Sequence, residues 1–321
     1  MEKKKVILDV DTGTDDAIAI MTAVMSENLE VLGVCAVNGN RGIDFTTENT
    51  LRVVEYLGKV IPVFRGCSLP MVVSLTEGRR EDIPYKGPKD PQDNVHGDYI
   101  DLPPATIQEQ PVSAVRWLVD TLMASDGDIT LIPVGPLTNI AMALRIEPRI
   151  AQKIKRIVIM GGGCREVNIT PAAEFNFWID PEAAKIVFDC GCDILVVPLD
   201  ATHAAAVSIR TAEALERKGT KPAALTARII RQRQNAYKHW QPMADIDSVP
   251  VHDALAVCAV LDESVLGPVV ETYADVDIGK GAADGMSIFD LDNRYKDRKK
   301  NVKVALGADP ERFADMLLNI L

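Results

Sequence analysis

Val6-Ile7-Leu8-Asp9-Val10-Asp11-Thr12-Gly13-Thr14-Asp15-Asp16-Ala17 carries a short apolar run into four carboxylates within eight residues, with a glycine where the chain must turn. A strand that ends in such a cluster and passes at once into a segment of helical period reads as the first β–α step of an α/β fold. Carboxylates packed this closely repel one another and would take up protons unless a cation compensates them. Oxygen donors of this kind suit calcium or magnesium. Asp15 and Asp16 on their own would be ordinary acids in the first turn of a helix. Asp9 and Asp11, two residues apart at the strand end, are expected to leave on one face, and capping does not explain them.

The same alternation continues along the chain: strand 30–37, helix 44–57, strand 60–64, then helix 110–124, strand 128–134, helix 136–145, strand 155–160, helix 181–189 and strand 193–198. Repeated βαβ units predict an open, mainly parallel twisted sheet flanked by helices, with ligands at the carboxyl ends of the strands. The carboxylate cluster lies at such an end. Residues 66–108 are rich in Pro, Gly and Asp, and a loop of that length is expected to serve the site by folding over it. From about residue 206 the chain turns helical and basic, which predicts a helical elaboration in the C-terminal third. Arg228, Arg231 and Arg233 are expected there on a solvated face. With no internal repeat and no Gly/Ser linker, residues 1–321 are expected to form a single domain.

The chain has 321 residues, 47% of them hydrophobic and 25% charged, enough to build a large core. The formal net charge of −11 argues against nucleic acid as the main partner and favours a neutral small molecule. The basic start Met1–Lys5 is followed by an apolar run that Asp9 stops too soon for a signal peptide, and no run reaches membrane-spanning length, so a cytoplasmic location is expected. The six cysteines lie in mostly apolar surroundings and read as reduced core thiols. Cys190-Gly191-Cys192 has no second pair to complete a zinc site.

Chemistry-bearing residues gather after strand ends. Asn38-Gly39-Asn40 follows the second strand; Asn38 reads as a turn residue, whereas Asn40 joins the aspartates at the sheet edge. Val134 ends the run Ile129–Val134, and its carbonyl, expected to be free, is a suitable oxygen ligand for calcium. Met160-Gly161-Gly162-Gly163-Cys164 lacks the spacing of a phosphate-binding loop. Beyond it, Asn168, Glu174 and Asn176 alternate with Phe175 and Phe177. Amide, carboxylate and aromatic groups in that mixture suit a polyol, and Glu174 would repel a phosphate. His252-Asp253 opens a late helix, offering a proton donor beside a carboxylate. His96, in the long loop, is placed to close over a bound base.

Asp-Val-Asp-Thr-Gly-Thr-Asp-Asp-Ala (9–17), Val-Gly-Pro-Leu-Thr-Asn-Ile-Ala (134–141), Ala-Glu-Phe-Asn (173–176) with Asp-Pro-Glu-Ala-Ala (180–184), and Val-His-Asp-Ala (251–254) together resemble the inosine–uridine preferring nucleoside hydrolase family, in the family's order and approximate spacing. The resemblance covers most of the chain. It implies a calcium-dependent N-ribohydrolase that cleaves a ribonucleoside into free base and ribose on a mainly parallel sheet, assembled as a homodimer or homotetramer. By the same resemblance Asp11, Asp16, Asp253 and the Val134 carbonyl would hold Ca2+, and Asp11 would take a proton from the attacking water. Asp15, Asn40 and Asn176 would bind the 2′- and 3′-hydroxyls, and Asn168 and Glu174 the 5′-hydroxyl. His252 would protonate the leaving base, with His96 a second histidine from the lid. Thr12 stands where many members have proline. Tyr237, His239 and Trp240 fall outside the motifs, so purine or pyrimidine preference is not legible.

Two other readings fit parts of the pattern. Asp9-Val10-Asp11-Thr12-Gly13 is superficially the Asp-x-Asp-x-Thr nucleophile motif of haloacid dehalogenase-type phosphohydrolases, with Gly13 in the threonine position. A calcium-dependent ribose or nucleoside binder without turnover would keep the same ligands, although intact Asp11 and His252 speak against it.

Overall fold

The computed structural model describes residues 2–80 and 94–321. Its strands among these residues are β1 (Lys4–Val10), β2 (Leu29–Ala36), β3 (Val63–Arg65), β4 (Ile129–Pro133), β5 (Ile154–Met160), β6 (Ile194–Val197), β7 (Val207–Ser208), β8 (Ser248–Val249), β9 (Val269–Thr272), β10 (Ala274–Val276), β11 (Ser287–Phe289) and β12 (Val302–Ala305). Eight of them form one sheet in the order β3-β2-β1-β4-β5-β6-β12-β9, parallel throughout except at the β12–β9 edge; β7–β8 and β10–β11 are small antiparallel pairs. The helices are α1 (Thr14–Met25), α2 (Ile43–Tyr56), α3 (Ala114–Ala124), α4 (Thr138–Ile146), α5 (Phe175–Ile179), α6 (Pro181–Phe188), α7 (Leu199–Ala204), α8 (Ile209–Lys218), α9 (Lys221–Trp240), α10 (His252–Leu261) and α11 (Pro310–Ile320).

Period-two alternation divides β1 between two cores. Val6, Leu8 and Val10 pack with α1, α2 and α8–α11 on one side, while Ile7 joins α3, α4 and α6 on the other. Helix α10 is buried along nearly its whole length and packs against α1. That brings His252 and Asp253, late in the sequence, to the aspartates at the beginning.

Strand order reverses between β1 and β4, because the chain builds outward to β3 and then restarts on the other side. Such a switch point leaves a crevice at the carboxyl ends of the strands. Registry keeps those ends level: Val10 pairs with Ala36 of β2, and Asp9 with both Cys35 of β2 and Pro133 of β4. Asp11, the Asn38–Asn40 turn and Val134 therefore emerge side by side.

The C-terminal third contains the expected helices and, beyond them, β9 and β12, which complete the sheet. All six cysteines are free thiols, with Cys35 and Cys258 fully buried. No helix among the described residues is long and apolar enough to cross a membrane.

Candidate active site

Helix α1 starts immediately after the turn, and Asp16 fixes its start. The carboxylate accepts from the backbone N–H of Gly13 at 2.9 Å and from that of Asp11 at 3.1 Å, one half of a capping box that also pins the loop after β1. Asp11 accepts the Asn40 N–H at 2.7 Å, while the Asn40 side chain donates to the Asp11 carbonyl and to Asp16, both at 3.3 Å. Space around Asp11 is kept by glycines: a Cβ on Gly39 would stand 2.0 Å from Asp11 Oδ2, and one on Gly135 would stand 2.7 Å from Oδ1. Thr12 is tied down by its hydroxyl contact with Thr50 at 2.7 Å, which supplies restraint where proline is absent.

Asp9 does not line the cleft that Asp11 borders. Strand β1 stops at Val10, so alternation no longer governs residue 11, and Asp9 instead turns to α4, where it accepts from the Asn139 amide at 2.8 Å. Burial pushes its carboxyl up to about 8.

Oxygen atoms of Asp15, Asp16 and Asp253 lie within 4.8 Å of one another, and all three residues are buried. Burial, then Asp15, raises Asp16 to about 7. Burial and the Asp16 charge drive Asp11 well above the usual carboxylate range, and burial with the Asp15 charge does the same to Asp253. Asp15 goes the other way: burial acts to raise it, but the Arg233 guanidinium, 2.8 Å from Oδ1, together with His96, His252 and a backbone hydrogen bond, outweighs that and lowers it. A donor set made wholly of oxygens, crowded enough to disfavour its own ionisation, is what a hard divalent cation relieves. The residues present therefore fit a hard divalent cation of the calcium or magnesium kind.

Val134 does reach the site, but its carbonyl is not free. It accepts from Asn176 Nδ2 at 2.7 Å, and the same amide group lies 3.2 Å from the Met160 carbonyl. Glu174 caps α5: its carboxylate accepts from the N–H groups of Asn176 at 2.9 Å, Gly162 at 2.8 Å and Phe177 at 3.2 Å, while burial raises it to about 7. Asn168 accepts from the Phe175 N–H at 2.9 Å. His96 Nδ1 accepts from the Thr14 N–H at 3.2 Å and lies 3.7 Å from Asp15, so the end of the long loop does lie over the aspartates. Residues 81–93 of that loop lie outside the described residues.

His252 is buried between two hydroxyls, Thr202 on Nδ1 and Tyr237 on Nε2, each at 2.7 Å. Burial, then the Arg233 charge, pulls its imidazole well below the ordinary histidine value. Arg233 departs from the expectation of a solvated basic face. Its side chain is 1% exposed and donates to Asp15, to Thr14 at 2.9 Å and to the Pro250 carbonyl at 3.0 Å. Arg228 and Arg231 do face outward, paired with Asp101 and Glu216. The signal for Arg233 was its spacing: Ile229, Arg233 and Tyr237 recur every four residues and share the buried stripe of α9. His239 is exposed, and the Trp240 side chain lies outside what is described.

These groups border one cleft of about 700 Å³, counting the space open to solvent, with Asp11, Asp15 and Asp253 at one end and Tyr237 and His252 beside them. A lining that combines carboxylates and amides with Phe175, Ile169 and Val95 suits a polyol that carries an apolar ring.

Residues 6–315 match the family described as inosine-uridine preferring nucleoside hydrolase. The chain is 37% identical over 318 residues to the pyrimidine-specific ribonucleoside hydrolase RihB of Escherichia coli O157:H7 (strain EC4115 / EHEC), covering 98% of this chain and 95% of that one. Among solved structures, a purine-preferring ribonucleoside hydrolase from Gardnerella vaginalis superposes with a TM-score of 0.85 at 27% identity, covering 98% and 97% of the two chains. The plant nucleoside hydrolase PpNRh1 gives 0.84 at 31%, covering 98% of each. The chain belongs to the inosine-uridine preferring nucleoside hydrolase family. It is an N-ribohydrolase, acting on the N-glycosidic bond of ribonucleosides, and the phosphohydrolase and non-catalytic readings fall away.

Proposed function

We propose that this hydrolysis depends on calcium held by Asp11, Asp16, Asp253 and the Val134 carbonyl. The observation that carries the reading is the meeting of Asp16 and Asp253, from opposite ends of the chain, with oxygens within 4.8 Å beside a cleft lined by carboxylates and amides. When bound, calcium supplies Lewis acidity that makes a water easier to deprotonate, though less strongly than zinc would. Asp11 completes that task as the general base, its carboxylate held by the Asn40 N–H.

Rupture of the glycosidic bond develops positive charge on the ribose and negative charge on the base. Asp15, Asn40 and Asn176 bind the 2′- and 3′-hydroxyls and Asn168 and Glu174 the 5′-hydroxyl, so that acceptor oxygens surround the sugar as it becomes cationic. The pair Tyr237–His252 delivers a proton to the leaving base, and His96 covers it from the loop. Pyrimidine ribonucleosides are the preferred substrates in this reading, supported by the higher identity to RihB than to the purine-preferring structure. Residues 1–321 act as one domain, supported by the single eight-stranded sheet, in a homodimer or homotetramer located in the cytoplasm.

The test is chromatographic detection of free base and ribose over a panel of purine and pyrimidine ribonucleosides, before and after chelation. Base release from pyrimidines first, abolished by chelator and restored by calcium, is the expected result. Chelator-resistant turnover would refute the metal assignment, and faster purine turnover would refute the preference.

A further inference from the structure

Oxygen atoms of Asp15, Asp16 and Asp253 lie within 4.8 Å of one another, while Asp11 sits against Asp16. Proximity alone does not tell a cation to take Asp11 and leave Asp15. Arg233 supplies the distinction. It is the fully buried guanidinium of α9, and each of its nitrogens has a partner: one terminal nitrogen gives to Asp15 Oδ1 at 2.8 Å and to Thr14 Oγ1 at 2.9 Å, Nε gives to the Pro250 carbonyl at 3.0 Å, and the other terminal nitrogen reaches the Tyr237 hydroxyl at 3.4 Å. Thr14 directly precedes Asp15, Pro250 lies three residues before Asp253, and Tyr237 bonds His252. A planar fork held at four points has one orientation, and the oxygen it grips has one orientation with it.

We propose that Arg233 is a positioning residue that divides the carboxylate cluster: it keeps Asp15 out of the cation's coordination shell and turned toward the vicinal hydroxyls of the ribose. This rests on the assignment of Asp15 to the sugar made above. Charge points the same way, since a carboxylate in direct contact with a guanidinium offers a cation less attraction than Asp16 and Asp253, which make no ion pair among the described residues. Arg233 acts through Asp15 and touches the sugar only by way of that carboxylate.

Two variants separate positioning from charge. Arg233→Lys keeps the positive charge and loses the fork. Its discrimination between a ribonucleoside and the matching 2′,3′-dideoxynucleoside, measured as the inhibition constant of the second over the KM of the first, is expected to fall fivefold or more. Arg233→Met frees Asp15, and calcium titration calorimetry should show tighter binding by fivefold or more. In the Asp15→Asn background the same change should shift calcium affinity by less than twofold. Thermal melts confirm that each variant is folded. Unchanged hydroxyl discrimination in Arg233→Lys, or an equal calcium shift in both backgrounds, would overturn the proposal. If Asp15→Asn by itself leaves discrimination intact, it is the sugar assignment that fails, and the calcium cycle alone then decides whether Arg233 restrains Asp15.

Discussion

The side-chain amide of Asn176 donates to the carbonyl of Val134 at 2.7 Å, so a group assigned to the sugar and a group assigned to the cation share a hydrogen bond. Asn176→Ala strips two buried carbonyls, Val134 and Met160, of their donor, which costs about 1–3 kcal/mol of stability. It should also raise KM for ribonucleosides and weaken calcium binding together. Kinetics paired with calcium titration check this, and a KM effect with unchanged calcium affinity would break the link.

Gly39→Ala places a methyl group 2.0 Å from Asp11 Oδ2, a position the carboxylate cannot share. Asp11 is then displaced from the Asn40 N–H that holds it. Turnover should drop by roughly 10²-fold or more, on the scale of losing a general base, and the melting temperature should fall with it because Asp11 Cβ, 2.8 Å from the added methyl, cannot swing aside. A variant with full activity would show that Asp11 need not stand where it does.

His252→Ala and Tyr237→Phe act at the leaving group. Both should slow natural nucleosides by roughly 10²–10⁴-fold and 10-fold or more respectively, the first being the usual range for general acid catalysis. An activated nitrophenyl riboside, whose leaving group needs no proton, should be nearly unaffected by either change. Equal losses on both substrates would remove the pair from proton delivery.

Burial raises Asp16 and Glu174 to about 7 and Asp9 to about 8 in the folded protein, whereas unfolded carboxyls ionise near about 4. Between those values the native state holds protons that the unfolded chain has released. Stability of the chelated protein should therefore fall as pH rises from about 4 toward 8. Calcium compensates the ionised aspartates, so added calcium should raise the melting temperature more at pH 8 than at pH 5. Melts at both values with chelator and with calcium decide it, and a chelated protein more stable at pH 8 would reverse the sign.

Strands β1 to β6 were legible because β-branched runs separated by helical-period segments have few other readings; the expected strand 128–134 is Ile129–Pro133, for example. β9 and β12 were not, since four-residue runs such as Val-Lys-Val-Ala acquire meaning only from the sheet edge they join. Strand-end residues were the readable half of the site: Asp11, Asn40 and Val134 declare themselves by position. Asp9 misled, because the strand stops one residue before the alternation rule needs it to continue. Arg233 and Tyr237 stayed hidden, as a charge on a basic helix looks solvated until its partner, Asp15, is found 218 residues away. Thr202 carried no signal at all, since its role depends on His252 folding back onto α7.

Calcium dependence is tested most directly on a single nucleoside. Release of uracil and ribose from uridine is followed while the protein is stripped with chelator and then titrated with calcium, beside Asp11→Ala. Activity should vanish on stripping and return in step with calcium binding in the parent alone, with Asp11→Ala silent throughout. Undiminished uracil release by the stripped protein, or a titration that restores Asp11→Ala to parental rates, would contradict it.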